Sequence, residues 1–220
     1  FSDMTIFSLH PVKTITMGEG GVITTNDATL NHKLRQYRNH GMTRNAERFH
    51  NTKLAFDENG DVNPWYYELQ ELGFNYRASD INCALGLSQL KKLDTFVARR
   101  AELASLYDQH LKPMAPLLTS VPRPSNGKTS LHLYVILIDF QTAGISRSYL
   151  MKALSSAGIG TQVHYIPVHQ QPYYQERYGA TDLPGASSYY NRCLSLPLYP
   201  DMKDSDVIRV CQALKATLDL

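Results

Sequence analysis

Long hydrophobic runs are missing from this sequence, and no apolar stretch reaches the length needed to span a bilayer. An excess of charge is missing too. The balance of 22 Lys and Arg against 20 Asp and Glu leaves a formal +2, too little to argue for a nucleic-acid partner. Cysteine is scarce. Cys83, Cys193 and Cys211 stand too far apart for a metal motif and are too few for a disulfide scaffold, so they are expected to be buried thiols of a cytoplasmic protein. Internal repeats and low-complexity segments are absent. What is present is a chain of 220 residues, enough for one large domain or a domain and a half with a substantial core. Tyrosine is abundant at 14 residues, which suits an interface or a polar ligand cleft, since each ring offers an apolar face and a hydroxyl.

Residues 4–9 read as a short strand and 21–25 as another, with the bend Gly18–Gly21 before it. Asn26 or Asp27 then caps a helix whose apolar positions Leu30, Leu34 and Tyr37 keep helical spacing, with Gly41 as the stop. Residues 42–72 are polar and broken by Gly60 and Pro64, and read as an irregular excursion, a flap over a cleft or a dimer arm. The cluster Gly73–Arg77 follows. Ser79 or Asp80 opens a helix of about 30 residues through Leu111, long enough to link two domains or to bend midway. Residues 113–130, with four prolines, read as an extended crossing. Beyond it come a strand (131–138), a helix (146–157), a strand (159–165), a Pro/Tyr-rich loop (166–185), a short helix (186–193), an extended stretch (194–199) and a final helix (204–218). This alternation argues for an α/β fold with a domain over 1–112 and a small α/β domain over 113–220.

Lys13 is the first residue with a claim to chemistry. It lies in Ser8-Leu9-His10-Pro11-Val12-Lys13, ahead of Gly18-Glu19-Gly20-Gly21, with Ile6, Phe7, Leu9, Val12 and Ile15 around it. Apolar walls disfavour the charged form of an amine, and a neutral amine attacks a carbonyl to form an imine. The same pattern also fits a surface lysine after a Pro-containing turn. The Ser8 hydroxyl suits a phosphate or nearby backbone. Asn75 fits a turn, Arg77 an ion pair, and His40 a helix end, where a histidine meets the C-terminal dipole. His164 and His169 are five residues apart with no acidic partner at hand, a poor metal site, and no metal is expected.

The run Ser8–Lys13, followed by Thr16-Met17-Gly18-Glu19-Gly20-Gly21-Val22-Ile23-Thr24-Thr25-Asn26-Asp27, resembles the cofactor segment of the DegT/DnrJ/EryC1/StrS aminotransferases. These are fold-type I enzymes, aspartate aminotransferase-like, that use pyridoxal 5'-phosphate to aminate nucleotide-linked keto-sugars. His-Pro-Val-Lys and Gly86-Leu87-Ser88-Gln89-Leu90-Lys91-Lys92 look most like the branch that makes a UDP-linked 4-amino-4,6-dideoxy sugar for pseudaminic acid. The resemblance covers the whole chain in order.

It implies that Lys13 is the Schiff-base lysine and the acid/base that moves the substrate proton. It further implies that Ser8 holds the cofactor phosphate and that Asn75 reaches the phosphate in the neighbouring subunit of a homodimer, steadied by Tyr76 and Arg77. His164-Tyr165-Ile166-Pro167-Val168-His169 resembles the family's His-Tyr-x-Pro-x-His segment at the mouth of the substrate cleft, which makes Arg77, His164, Tyr165, His169 and Tyr173 candidates for substrate contact, while His164 also fits a packing role. Glutamate is the implied amino donor and a UDP-linked 4-keto-6-deoxy sugar the acceptor. The family's upstream glycine-threonine turn, ring-stacking aromatic residue and pyridine-pairing aspartate have no counterpart here. The resemblance therefore implies the C-terminal portion of a larger enzyme, incomplete and inactive alone. Three alternatives stay open: a sugar 3-dehydratase, against which Lys13 argues because a histidine replaces the lysine there; a non-enzymatic pyridoxal- or sugar-binding relative; and a stable fragment without activity.

Overall fold

The computed structural model describes residues 2–124, 126–127 and 129–220. Ser125 and Lys128, within the Pro-rich stretch, lie outside the described residues, as does Phe1 at the start of the first expected domain. The chain divides into two compact units, Phe1–Lys91 and Lys92–Leu220. The boundary between these units falls at Lys91/Lys92. The reason is a break in the long helix, which stops at Leu90 and restarts at Leu93 after Lys92 settles at a ψ of −1°.

In the first unit β1 (Thr5–Ser8) and β2 (Gly21–Thr24) form an antiparallel pair, with Ser8 opposite Gly21. Helix α1 (Ala28–Arg38) starts where the Asp27 carboxylate accepts from the N–H groups of Thr29 and Leu30 at 2.7 and 2.9 Å, a cap that contributes about 1 kcal/mol. Arg35 and Arg38 favour its last turn electrostatically. After it, His40 and Gly41 turn the chain with φ of 60° and 71°. A Cβ on Gly41 would sit 1.7 Å from the Glu71 carbonyl oxygen, so only glycine fits.

The expected irregular excursion is closed at its base by β3 (Met42–Thr43) pairing with β4 (Glu68–Leu69) and carries the short helix α2 (Thr52–Ala55). Helix α3 (Asp80–Leu90) begins at Ser79, whose hydroxyl accepts from the Asn82 N–H at 3.2 Å. Much of this unit's apolar surface is uncovered: Ile6 is 75%, Ile81 84% and Leu72 92% exposed.

The second unit owns a core. Helix α4 (Leu93–Leu111) buries Leu103, Ala104, Tyr107 and Leu111. The antiparallel sheet runs in the order β5 (Leu118–Ser120), β6 (Tyr134–Ile138), β7 (Cys193–Leu196). Helix α5 (Arg147–Ser156) is capped by Ser146. Helices α6 (Pro172–Tyr178), α7 (Pro184–Arg192) and α8 (Asp204–Thr217) complete the unit. Ile136, Ile138, Leu150, Leu154, Val207 and Leu214 are fully buried in one cluster, each burial stabilising by about 1.5–3 kcal/mol.

Two expectations fail in this unit. The strand over 159–165 is a single bridge, in which Gln162 and Ser195 exchange backbone hydrogen bonds at 3.2 and 2.8 Å. The loop over 166–185 contains α6, with Pro172 at its first turn, where the missing N–H costs nothing. The cysteine expectation also needs correction. Cys193 and Cys211 are buried, and burial pushes the Cys211 thiol up to about 12, but Cys83 is exposed on α3. Among the described residues no helix is long and apolar enough to cross a membrane, and no group of three or more His, Cys, Asp or Glu is placed to hold a metal ion.

Candidate functional site

Lys13 closes a tight turn, its N–H donating to the His10 carbonyl at 2.9 Å with Pro11 in second place. The turn belongs to a loop tied at several points. Leu9 donates to the Gly20 carbonyl at 3.0 Å, and the Leu9 carbonyl accepts from the Met17 N–H at 2.9 Å and from the Thr16 hydroxyl at 3.1 Å. The Thr16 hydroxyl in turn accepts from the Gly18 N–H at 2.9 Å. On the outer side the His10 imidazole faces Glu19 at 3.6 Å.

The apolar walls expected around Lys13 are not built by these neighbours. Ile6, Phe7 and Val12 are exposed, and only Ile15 and Met17 are buried. Lys13 as a residue is half-buried. Among the described residues it makes no ion pair, and the Ser8 hydroxyl at the end of β1 has no hydrogen-bond partner. An uncommitted amine and an uncommitted hydroxyl on one short loop are a donor set that fits an aldehyde-bearing phosphate ester.

The second cluster lies in the same unit. Residues 74–76 are zipped onto the end of α1: Phe74 donates to the Tyr37 carbonyl at 2.7 Å, His40 to Phe74 at 2.9 Å and Tyr76 to Arg38 at 3.0 Å. Asn39 and Asn75 face each other across the bridge so formed. Asn75 and Tyr76 are exposed, with the Tyr76 ring edge-on to Phe74 at 5.6 Å. Arg77 donates to the Asn39 side-chain oxygen. Beside this bond a cavity of about 570 Å³ is lined by Asn39, Met42, Thr43, Arg44, Tyr67 and Arg77, with the Arg44 guanidinium 5.9 Å from the centre of the Tyr67 ring. Neither arginine meets a carboxylate among the described residues. Two uncompensated guanidinium groups in one concavity repel each other and suit a phosphate, which each can grip with paired N–H donors. Arg44 carries no signal in the sequence, where it sits in a polar stretch without period. Only the closure of β3 on β4 brings it to Tyr67.

The second unit carries the remaining candidates. The His164 Nδ1 lies 2.7 Å from the hydroxyl of buried Ser195, and its ring meets Tyr165 edge-on at 4.6 Å. Tyr165 is exposed. His169 lines a separate apolar cavity of about 440 Å³ with Pro167, Val168, Tyr174, Tyr178 and Leu183. Tyr173, grouped with His169 in the sequence, does not line it; its hydroxyl accepts from Arg177 at 2.8 Å. Tyr174 and Tyr178, one turn apart on α6, take that place, a spacing that became legible only with the helix.

Comparison with known proteins gives a family and a fold. A family model described as the DegT/DnrJ/EryC1/StrS aminotransferase family matches residues 1–215. The spore coat polysaccharide biosynthesis protein SpsC of Bacillus subtilis (strain 168) is 41% identical over 216 residues, covering 97% of this chain and 53% of its own. Among solved structures, Helicobacter pylori PseC, an aminotransferase involved in the biosynthesis of pseudoaminic acid, superposes with a TM-score of 0.86 at 30% identity, over 100% of this chain and 54% of that one. The aminotransferase TlmJ from Streptoalloteichus hindustanus gives 0.81 at 28% identity, over 99% and 52%. The architecture is the α/β fold of fold-type I pyridoxal-phosphate transferases. The chain spans about half the length of the relatives it matches.

Proposed function

The chain belongs to the DegT/DnrJ/EryC1/StrS aminotransferase family, and from that premise we propose that it is part of a pyridoxal-phosphate aminotransferase. The reaction moves an amino group from glutamate to a nucleotide-linked 4-keto-6-deoxy sugar, UDP-linked as in the pseudaminic acid branch. The observation that carries this is the uncommitted Lys13 amine on a loop fixed at Leu9, Thr16 and Met17. Bound pyridoxal phosphate supplies an aldehyde that condenses with amines and a conjugated ring that accepts the electron pair released when a neighbouring C–H is deprotonated.

The residues of the chain do the rest. The Ser8 hydroxyl donates to the cofactor phosphate. The Lys13 amine would hold the cofactor and would serve as the acid/base that takes a proton from the donor carbon and returns one to the sugar carbon. Arg44 and Arg77 hold the diphosphate that links sugar to nucleotide, and their cavity and lack of carboxylate partners support that role. In a homodimer the exposed Asn75 serves the cofactor of the partner copy. In the second unit His164, Tyr165, His169 and Tyr173 are the candidates for sugar or nucleotide contact. The uncovered apolar surface of the first unit fits a place inside a larger cofactor-binding domain.

The test is transamination by the assembled enzyme, with glutamate and a panel of nucleotide-linked keto-sugars. Lys13→Ala is expected to remove turnover, since positioned proton transfer alone contributes about 10²–10⁴-fold. Near-normal transamination by that variant would overturn the proposal.

A further inference from the structure

Helix α3 reaches the lysine loop through one side chain. The Asn82 Nδ2 donates to the Met17 carbonyl at 2.6 Å, across 65 residues of sequence, while its Oδ1 meets the Ser79 hydroxyl that caps the helix. The contact is built from both sides. Gly18 stands where a Cβ would come within 2.9 Å of that same Nδ2. One turn along α3, a Cβ on Gly86 would lie 3.2 Å from the Met17 Cβ, so the absence of a side chain there lets the buried methionine seat against the helix. Met17 is also the residue whose N–H closes the loop onto Leu9. The amide of Asn82 therefore holds the carbonyl of the same residue whose N–H ties the Lys13 turn to Leu9, just past β1.

We infer that Asn82 is a positioning residue for Lys13: its amide donor fixes the Met17 carbonyl, and through it the turn that presents the amine to an aldehyde. The inference rests on the assignment of Lys13 as the cofactor-holding amine.

Two measurements on the assembled enzyme test it. The first is amide hydrogen exchange over residues 9–20. Asn82→Leu, which removes the donor, speeds exchange there about tenfold while α4 to α8 keep their protection. Asn82→Asp loses the donor only while ionised. Its loop exchange, corrected for pH, is fast at neutral pH and returns toward wild type as the carboxyl protonates below about pH 4. A role confined to helix stability gives the opposite sign, since an ionised aspartate in the first turn stabilises a helix. Asp80 in that turn, Asp27, and His10 and Glu19 on the loop are present in both proteins, so the wild-type profile taken in parallel removes their effect.

The second measurement is the rate at which pyridoxal phosphate and borohydride label Lys13, followed by peptide mass. Asn82→Leu slows it about tenfold. Labelling of Lys13 at the wild-type rate in Asn82→Leu, with unchanged loop exchange, overturns the inference and leaves the Lys13 assignment standing. No labelling of Lys13 in the wild type overturns the assignment and the inference with it. Should Asn82→Leu not fold, Asn82→Asp carries both measurements.

Discussion

Glu68 accepts the backbone N–H of Asn51 at 2.7 Å, and the same carboxylate takes His50 N–H at 2.8 Å, Tyr66 hydroxyl at 2.8 Å and Gln70 Nε2 at 2.7 Å. Four donors on one carboxylate turn the excursion between β3 and β4 into a braced structure. Burial pushes this carboxyl up, but the His50 and Asn51 N–H groups, with Gln70 and Tyr66, outweigh it and hold it down at about 2. Burial and then the Glu68 carboxylate push the Tyr66 hydroxyl the other way, which keeps it a donor.

The sign of the pH dependence follows. A carboxyl lowered from 4.5 to about 2 on folding stabilises the folded form fully above 4.5, and that support is lost as pH falls through about 2. Amide exchange in residues 44–67 should hold from neutrality to about pH 4.5 and quicken below it. Glu68→Gln should loosen the excursion at neutral pH and flatten the profile in that window. A profile identical to wild type would show that the brace is not what holds the excursion.

The arginine cavity gives a binding prediction. Arg44→Ala and Arg77→Ala should each weaken nucleoside diphosphate binding about tenfold or more, because a hydrogen bond to a charged group contributes about 1.5–3 kcal/mol. Arg77→Lys should not restore it, since an ammonium cannot form the paired contact. Titration calorimetry at two salt concentrations reads both the affinity and the loss of its salt dependence.

In the second unit Asp108 accepts two bonds from Arg123, at 2.8 and 2.9 Å, and one from the Tyr134 hydroxyl at 2.7 Å. Burial, then the Asp108 carboxylate, push the Tyr134 hydroxyl well up, so it donates at every working pH. Tyr134→Phe should cost about 1 kcal/mol in urea unfolding, since Arg123 still satisfies Asp108. Asp108→Ala should cost more, because it removes the acceptor of the Tyr134 hydroxyl and of both Arg123 bonds at once.

The uneven burial of the two units predicts where mutations hurt. Leu154→Ala, in the closed core, should cost about 2–5 kcal/mol. Leu72→Ala, at a side chain 92% exposed, should move urea unfolding of this chain by no more than about 0.5 kcal/mol.

What the sequence revealed depended on how local the cause was. Helices α1, α5 and α8 were legible because Asp27, Ser146 and the Asp204–Thr217 pattern act within a few residues. The turn at Lys13 and the bend at Gly18–Gly21 were legible for the same reason. Strand β5 was hidden among prolines, and α6 within a Pro/Tyr-rich run whose helical spacing is only two turns long. The break at Lys91–Lys92 has no glycine or proline to mark it. The contacts that shape the site are long-range: Asn82 to Met17, Glu68 to Asn51, Arg77 to Asn39 and Ser195 to His164 each join residues distant in sequence, and no periodicity encodes them. The exposure of Ile6, Phe7 and Val12 was hidden because an apolar neighbour in sequence need not be a wall in space.

The central claim is that Lys13 is the amine that holds the cofactor. The most direct measurement is borohydride reduction of the assembled enzyme with pyridoxal phosphate, followed by peptide mass mapping of every lysine of this chain. A reduced pyridoxyl adduct concentrated on Lys13, and absent from the Lys13→Ala variant without transfer to another site, is the predicted result. An adduct spread evenly over the surface lysines, with none favoured at position 13, would contradict it.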